Sequence, residues 1–432
     1  MEKKQYDLIV IGGGSAGLAA AIAAYDEGVK NILVLEKEDE VGGILLQCIH
    51  NGFGLHRFHE ELTGPEYAAR FVDEAQKRDG IEIKTRSMVI KITPEKDVHY
   101  SSLAEGYCVA SGKALICATG CSERTRGAIR IPGDRPTGLM TAGLAQNYLN
   151  LGGYFVGKRV FILGSGDIGL IMARRMTLEG SQVIGVAELM PYSNGLTRNI
   201  VQCLNDFDIP LYLSHTVKEI IGRERLEKIV ICQVDDKFQF MPGTEREIEV
   251  DTLLLSVGLI PSNPLLTEIG VKLHPKTGGP LVDENMQTSL PGVFSCGNSL
   301  HVHDLVDFVS MEGETAGVAA AKWIQGTLRS YVDAIETAPG NGIGYLLPAT
   351  LHCAKNDTES NAENADGEKK DFVLKFRVQK PFTNVSLVVK QNGETLKTVK
   401  KAFLLPAEME NLTISSENLV ASSGILTVEV VE

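Results

Sequence analysis

Two glycine-rich fingerprints, an apolar strand and an acid placed alike around each, and a late switch to period-two hydrophobicity predict an α/β chain with a small C-terminal β-rich domain. Gly12-x-Gly14-x-x-Gly17 is followed by Glu36, and Gly164-x-Gly166-x-x-Gly169 by Glu188. In both copies the acid stands 19 positions after the third glycine. The runs before them, Tyr6 to Ile11 and Arg159 to Leu163, read as buried parallel strands. Two Rossmann-like dinucleotide-binding domains follow from this pattern, and two such sites in one chain imply electron traffic between them.

The glycines have separate tasks where a strand feeds straight into a helix. The first makes the tight turn, the second leaves room for a pyrophosphate, and the third lets helix and strand pack closely. The helix N-terminus offers free N–H groups and the positive end of its dipole to the anion. Glu36 and Glu188 end the next strand, where a carboxylate accepts hydrogen bonds from both hydroxyls of a ribose. A lone fingerprint of this kind is weak evidence; the repeated acid spacing is what gives it weight.

After Glu36 the sequence predicts a glycine-containing turn through Cys48 and His50, a helix over about 65–77, and strands at 81–84 and 87–92. Lys113 to Gly120 is an apolar strand ending in Thr-Gly, which suits a strand meeting a ligand at its carboxyl end. From Lys158 the alternation restarts: strand 159–163, helix 167–179, strand 182–187, helix 197–206, strand 210–213, then a hairpin-like passage over 217–249. Asp251 to Pro261 and Pro291 to Asn298 each read as a further buried strand. A long helix over about 304–325 carries Gly313, Ala316, Gly317 and Ala320 on one face, small enough for close approach. The expected domains are 1–125 with 251–330 for the first dinucleotide, 126–250 for the second, and 331–432 for the β-rich part. Residues 355–371 read as a mobile loop, and Gln391-Asn392-Gly393 as a hairpin turn. The β-rich part is expected to serve either packing or docking of another protein.

At 432 residues and 44% hydrophobic content the chain has ample core for two or three domains. A net charge of -13 with no basic block argues against nucleic acid or an anionic membrane as a partner. Residues 8–24 are almost uncharged, but their glycine cluster argues against a membrane span. No secretory signal is visible, so the cytoplasm is the expected address. The eight cysteines form no CxxC and no metal-ligand spacing, which fits a reducing compartment.

Five motifs now stand in order: the first fingerprint, Ala118-Thr119-Gly120, the second fingerprint, Ser256-Val-Gly258-x-x-Pro261, and Ser295-Cys-Gly297-Asn298. Over roughly residues 5–328 this order resembles the FAD-dependent pyridine nucleotide-disulfide oxidoreductase superfamily. The stretches Ala118 to Arg124, Gly138 to Gly143 and Gly297 to Asp307 further resemble the flavoprotein subunits of opine, proline and glycerol-3-phosphate dehydrogenase complexes. The resemblance implies FAD at the first fingerprint and NAD(H) at the second. It also implies a partner flavoprotein or iron–sulfur subunit, and a homo-oligomer is among the expected assemblies.

Carried over residue by residue, the FAD side comprises Gly12, Gly14, Ser15, Ala16, Gly17, Glu36, Lys37, Gly43, Val89, Ala118, Thr119, Gly120, Gly297, Asn298 and Val306. The nicotinamide side comprises Gly164, Gly166, Asp167, Ile168, Gly169 and Glu188, and Gly258 is a further cofactor-binding residue, within the stretch expected to belong to the first domain. Asn298 stands where the superfamily usually has an Asp that contacts the ribityl chain. Glu188 favours NADH, because a carboxylate repels a 2'-phosphate. The main departure from the superfamily is the missing redox dithiol: only Cys48 lies near the usual first position, so a disulfide substrate is not expected.

The expected function is therefore electron transfer between NADH, FAD and a partner or acceptor, in either direction. The expected geometry stacks nicotinamide on flavin, with the N-terminus of the long helix aimed at the flavin. Two alternatives stand beside it. Cys48, with His50 nearby, would be the catalytic residue of an NADH oxidase or peroxidase, or the cofactors would be structural in a scaffolding protein. The histidines at 50, 56, 59, 301 and 303 match no zinc spacing, so no metal is expected, and Cys117 and Cys121 read as packing residues.

Overall fold

The computed structural model describes residues 3–328, 334–352, 371–420 and 423–432. The chain forms two compact units, the first from Met1–Leu46, His50–Cys121 and Pro261–Glu432, the second from Gln47–Ile49 and Ser122–Ile260.

In the first unit the strands Ile81–Lys84, Ile32–Leu35, Lys4–Ile11 and Gly106–Cys117 lie side by side and parallel, with Val293–Ser295 pairing beyond the last. Two antiparallel strands, Asp97–Ser102 and Ser87–Ile92, extend the sheet. The register aligns Ile11 with Leu35 and Cys117, and Cys117 with Ser295. Four strands thus end at one level, and their next residues are Gly12, Glu36, Ala118 and Cys296. Under the sheet the helix Ser15–Asp26 crosses the helix Val306–Ile324. The crossing is close because the second helix presents glycine: a Cβ on Gly313 would lie 2.3 Å from Ala16 O, and one on Gly317 2.2 Å from Ala20 O.

The second unit is built on a parallel sheet ordered Leu139–Thr141, Thr252–Leu255, Arg159–Leu163, Gln182–Glu188, Leu211–Leu213. An antiparallel trio, His215–Ile221, Lys228–Gln233 and Arg246–Glu249, accompanies it. The strand Thr252–Leu255 departs from the sequence expectation, which puts 251–330 in the first domain. Its ladder runs instead between Leu139–Thr141 and Arg159–Leu163, and the second unit extends to Ile260. An unbroken apolar run fits either buried parallel sheet, so periodicity alone cannot choose between them. The helix expected over 197–206 is Thr197–Cys203 followed by a short 3-10 turn at Asn205–Phe207.

The C-terminal part of the first unit is a β module of two sheets. One is ordered Thr350–Leu351, Ile335–Pro339, Gly424–Val431, Phe382–Gln391, Glu394–Leu404; the other Ile343–Leu347, Asp371–Val378, Glu410–Ser415. Both contribute to one core, including Phe372, Phe376, Leu387, Val389 and Val428. Asn392 and Gly393 both take positive φ between the paired strands, the turn whose twist suits a two-residue hairpin. The expected mobile loop lies outside the described residues up to position 370; Asp371 already opens a strand. No helix among the described residues is long and apolar enough to cross a membrane.

Candidate functional site

Each fingerprint builds a cradle, and the two can be compared atom by atom. Gly12 has φ +107°, and a Cβ there would lie 2.3 Å from Ala118 O; Gly164 has φ +101°, and its Cβ would lie 2.0 Å from Ser256 O. A Cβ on Gly17 would meet Gly12 O at 1.9 Å, and one on Gly169 would meet Gly164 O at 2.5 Å. These four glycines serve the fold. The middle glycines differ: around Gly14 the nearest atom to a Cβ is Gly43 Cα at 3.9 Å, and around Gly166 it is Ser256 Oγ at 3.8 Å. Open space, rather than packing, explains glycine at these two positions.

Gly14 and Gly166 are also the N-caps of the helices Ser15–Asp26 and Asp167–Leu178, so no side chain caps either N-terminus. The first-turn N–H groups therefore lack the usual cap acceptor. A helix start of this kind, with room beside its second glycine, fits a pyrophosphate.

The acids sit where their spacing placed them. Glu36 is 6% exposed and Glu188 5%. Glu36 accepts from Gly13 N at 2.8 Å and Glu38 N at 2.9 Å. Glu188 accepts from Ser165 N at 3.0 Å, Ser165 Oγ at 2.6 Å and Met190 N at 2.9 Å. Each carboxylate is locked against the loop between the first two glycines. Gly43 belongs to the same neighbourhood in the first unit, where Gly42 N donates to Gly13 O at 2.8 Å.

Of the remaining expected residues, Ala118 N donates to Ile11 O at 2.9 Å and Thr119 Oγ1 to Ser262 O at 2.7 Å, which fixes the turn at Gly120. Gly297 N donates to Glu312 Oε2 at 2.8 Å, and Asn298 Oδ1 accepts from His303 N at 3.0 Å. Val306 opens the long helix, whose first turn carries the buried Asp307, accepting from Gly54 N and Arg57 N. Lys37 is on the surface beside Glu38, and Val89 lies in the hydrophobic core. Ile168 packs on the second unit's core, and Gly258 O accepts from Arg124 N at 3.0 Å. Asp167 Oδ1 accepts from Leu196 N at 2.8 Å and Asn199 Nδ2 at 2.7 Å, so it holds the next loop and helix.

Cys48 belongs to the three residues that pack with the second unit. Gln47 beside it donates to Gly143 O at 2.9 Å and Gln146 Oε1 at 3.0 Å, and Cys48 Sγ is 3.8 Å from the same Gln146 oxygen. Burial pushes the Cys48 thiol up to about 12, and that of Cys117 likewise. Burial of this kind disfavours the thiolate that nucleophilic chemistry requires.

One cluster escapes the motifs. Glu312, fully buried on the long helix, receives His301 Nε2 at 3.0 Å and Lys375 Nζ at 2.7 Å on Oε1, with His303 Nε2 at 3.5 Å. Lys375 supplies the cation that this carboxylate needs. Lys375 and the histidines hold the Glu312 carboxyl well below its ordinary range despite burial, and burial together with His303 lowers His301 to about 4. The sequence offers a signal for half of this group, His301-x-His303, and none for Glu312.

A family model described as pyridine nucleotide-disulphide oxidoreductase matches residues 6–338. The chain is 28% identical over 333 residues to the 34.2 kDa protein in the rubredoxin operon of Clostridium pasteurianum, covering 75% of this chain and 99% of that one. It is 25% identical over 391 residues to one of the opine oxidase subunits of Agrobacterium tumefaciens (81% and 76%). It spans only 58% of the alkyl hydroperoxide reductase component of Pseudomonas putida that it also matches. The crystal structure of T. acidophilum thioredoxin reductase superposes with a TM-score of 0.59 at 25% identity, covering 75% of this chain and 99% of that one. Matched cradles and a family model spanning most of the chain lead to one conclusion: the protein belongs to the pyridine nucleotide-disulphide oxidoreductase family and is an FAD-dependent oxidoreductase of NAD(P)H.

Proposed function

We propose that the first cradle holds FAD permanently, that the second binds NADH reversibly, and that electrons pass between them and a separate partner protein. The observation that carries this reading is the asymmetry of two otherwise matching cradles. Around the first, the helix start has no acid in its first turn, and Glu36 spends its bonds on two backbone donors. Around the second, Asp167 stands in the first turn, and Glu188 also accepts the Ser165 hydroxyl. An acid at a helix N-terminus opposes a phosphate, and a carboxylate already serving a hydroxyl has less to offer a ribose. The second cradle is thus built for weaker, exchangeable binding.

Bound flavin supplies the two-electron chemistry; the chain supplies its placement. Gly14 and the uncapped helix start would receive the FAD pyrophosphate, Glu36 its ribose, and Asn298 its ribityl chain, with Gly166 and Glu188 serving NADH. Glu188 favours NADH over NADPH, since a 2'-phosphate would meet its buried charge. On this reading residues 1–121 with 261–328 form the FAD domain, and 122–260 the NADH domain.

A partner is supported by the missing dithiol and by the relatives' names. No cysteine pair stands in either customary position, so the flavin has no built-in disulfide to reduce. The Agrobacterium relative is by name one part of a multi-subunit opine oxidase, and the Clostridium relative is encoded in a rubredoxin operon. We assign this chain the same kind of role, in the cytoplasm, with an electron-carrying protein as the other reactant. On this reading Cys48 carries no step, since its burial disfavours the thiolate. The test is anaerobic titration of the purified flavoprotein with NADH, followed by a screen of oxygen, peroxide, quinones and copurifying proteins as acceptors. Bleaching of the flavin with oxidation by a protein acceptor supports the reading; a flavin that NADH does not bleach overturns it.

A further inference from the structure

The two fingerprint turns differ at the residue between their first and second glycines, Gly13 in one and Ser165 in the other. A Cβ on Gly13 would lie 2.7 Å from Val41 Cγ1 and 3.2 Å from Glu36 Oε2, so the first cradle leaves no room for a side chain there. Its returning loop is tied by backbone alone, Gly42 N donating to Gly13 O at 2.8 Å. The second cradle admits a side chain and uses it. Ser165 is fully buried; its carbonyl accepts from Ser193 Oγ and its hydroxyl oxygen from Asn194 N, both at 3.2 Å. The hydroxyl itself donates to Glu188 Oε2 at 2.6 Å.

An ionised carboxylate offers about two lone-pair positions on each oxygen. At Glu36 the backbone fills one position per oxygen, Gly13 N on Oε2 and Glu38 N on Oε1. Among the described residues one position on each oxygen stays open, which matches the two hydroxyls of a ribose. At Glu188 the same two backbone bonds recur, Ser165 N on Oε2 and Met190 N on Oε1, and the serine hydroxyl takes the second position of Oε2. Among the described residues only Oε1 keeps an open position. A ribose hydroxyl would reach Oε2 only by displacing a short, buried, charge-assisted bond, so that exchange returns what it gains.

We propose that Ser165 is a positioning residue that limits Glu188 to one ribose hydroxyl. The second cradle then recognises its dinucleotide through a single adenosine-ribose hydroxyl and tolerates loss of the other. The proposal rests on the reading that this cradle binds NADH. Exchange is what the reaction asks of such a site, since each NAD+ must leave before the next NADH enters. A resident dinucleotide gains instead from both bonds, and the first cradle keeps both positions open.

The test uses the oxidised, FAD-loaded protein with NAD+, and with NAD+ analogues lacking either the 2'- or the 3'-hydroxyl of the adenosine ribose. Calorimetric titration reads the dissociation constants. Release is read by mixing the NAD+ complex with excess NADH, without oxygen, and following flavin bleaching. In wild type one analogue should bind within about twofold of NAD+ and the other about tenfold more weakly. Ser165→Ala and Ser165→Gly each free the second position: NAD+ should bind about tenfold more tightly and leave about tenfold more slowly, and both analogues should fall behind it. Ser165→Gly has the composition of the first cradle, so it serves where an alanine methyl disturbs the turn. Two analogues that both bind about tenfold more weakly than NAD+ to wild type overturn the proposal, as do two that both match it. So does unchanged or weaker NAD+ binding in a variant with wild-type flavin content and melting temperature, the result of a serine that only staples the loop. A wild type that binds no NAD+ and whose flavin NADH does not reduce overturns the reading of the second cradle instead.

Discussion

Replacing Gly166 with alanine tests the proposal that this glycine serves phosphate binding rather than folding. The residue has φ -67° and ψ 163°, allowed for alanine, and the new methyl would meet nothing closer than Ser256 Oγ at 3.8 Å. Reduced freedom of the unfolded chain stabilises by ~0.4–1 kcal/mol, and a poorer N-cap costs a similar amount, so stability should change by less than about 1 kcal/mol. Binding should not escape so lightly. The methyl occupies the space through which a pyrophosphate must approach the helix N–H groups, and each charge-assisted hydrogen bond lost costs about 1.5–3 kcal/mol. Weakening one or two of them raises the NADH dissociation constant about 10- to 100-fold. Stopped-flow flavin reduction against NADH concentration reads the binding, and thermal melting reads the fold. An unchanged dissociation constant with an unchanged melting temperature would refute the idea that this loop receives the phosphates. Gly164→Ala is the contrasting control: its Cβ would lie 2.0 Å from Ser256 O at φ +101°, so the second unit should be destabilised by about 3 kcal/mol or more.

Cys48→Ser should leave the rate of flavin reduction by NADH within about twofold of wild type, since a protonated thiol offers no thiolate; a loss beyond tenfold in stopped-flow would return Cys48 to the reaction. Gly313→Ala should lose about 3 kcal/mol and part of its flavin, because the methyl would press on Ala16 O at 2.3 Å where two helices cross; denaturant melts and flavin retention read both effects. Acid should destabilise the protein through His301, whose folded value near 4 lies below the ordinary 6.5 because of burial, with His303 and Lys375 adding to it. The unfolded chain binds the extra proton between those values, so the stabilisation is complete above about pH 6.5. It is lost as pH falls towards about 4, by about 3 kcal/mol over the window. Urea melts at pH 7.5 and 5 should show the decline, with a shallower one in His301→Gln; equal slopes would count against it.

The cradles were legible because their constraints are local. Gly12 and Gly164 are dictated by the turn between a strand and the helix it enters, and Glu36 and Glu188 by the length of one helix and one strand. Strand pairing was less legible, since Thr252–Leu255 is apolar on both faces and its sheet is chosen by neighbours far along the chain. The hairpin turn at Gln391–Gly393 implies a strand after it, but the extent of the edge strand Glu394–Leu404 is hard to read because Lys397, Lys400 and Lys401 hide the alternation, as charges on an edge commonly do.

Lys375 lies between these cases. Phe372, Leu374, Phe376 and Val378 all point into the β module's core, so period two puts Lys375 and Arg377 together on the opposite face. Two half-buried cations on one strand face require anions opposite them, and Glu312 and Asp304 provide these. Which anions they meet could not be read, because Lys375 and Glu312 are 63 positions apart. The register that buries the aromatic residues is also the one that delivers the lysine. A slip of one residue would drive Lys375 into the core and pull Phe376 towards Glu312. The module's hydrophobic core and the charge balance beside Asn298 are therefore fixed by one strand, which, on the proposed placement of FAD, makes the module part of the redox site's construction.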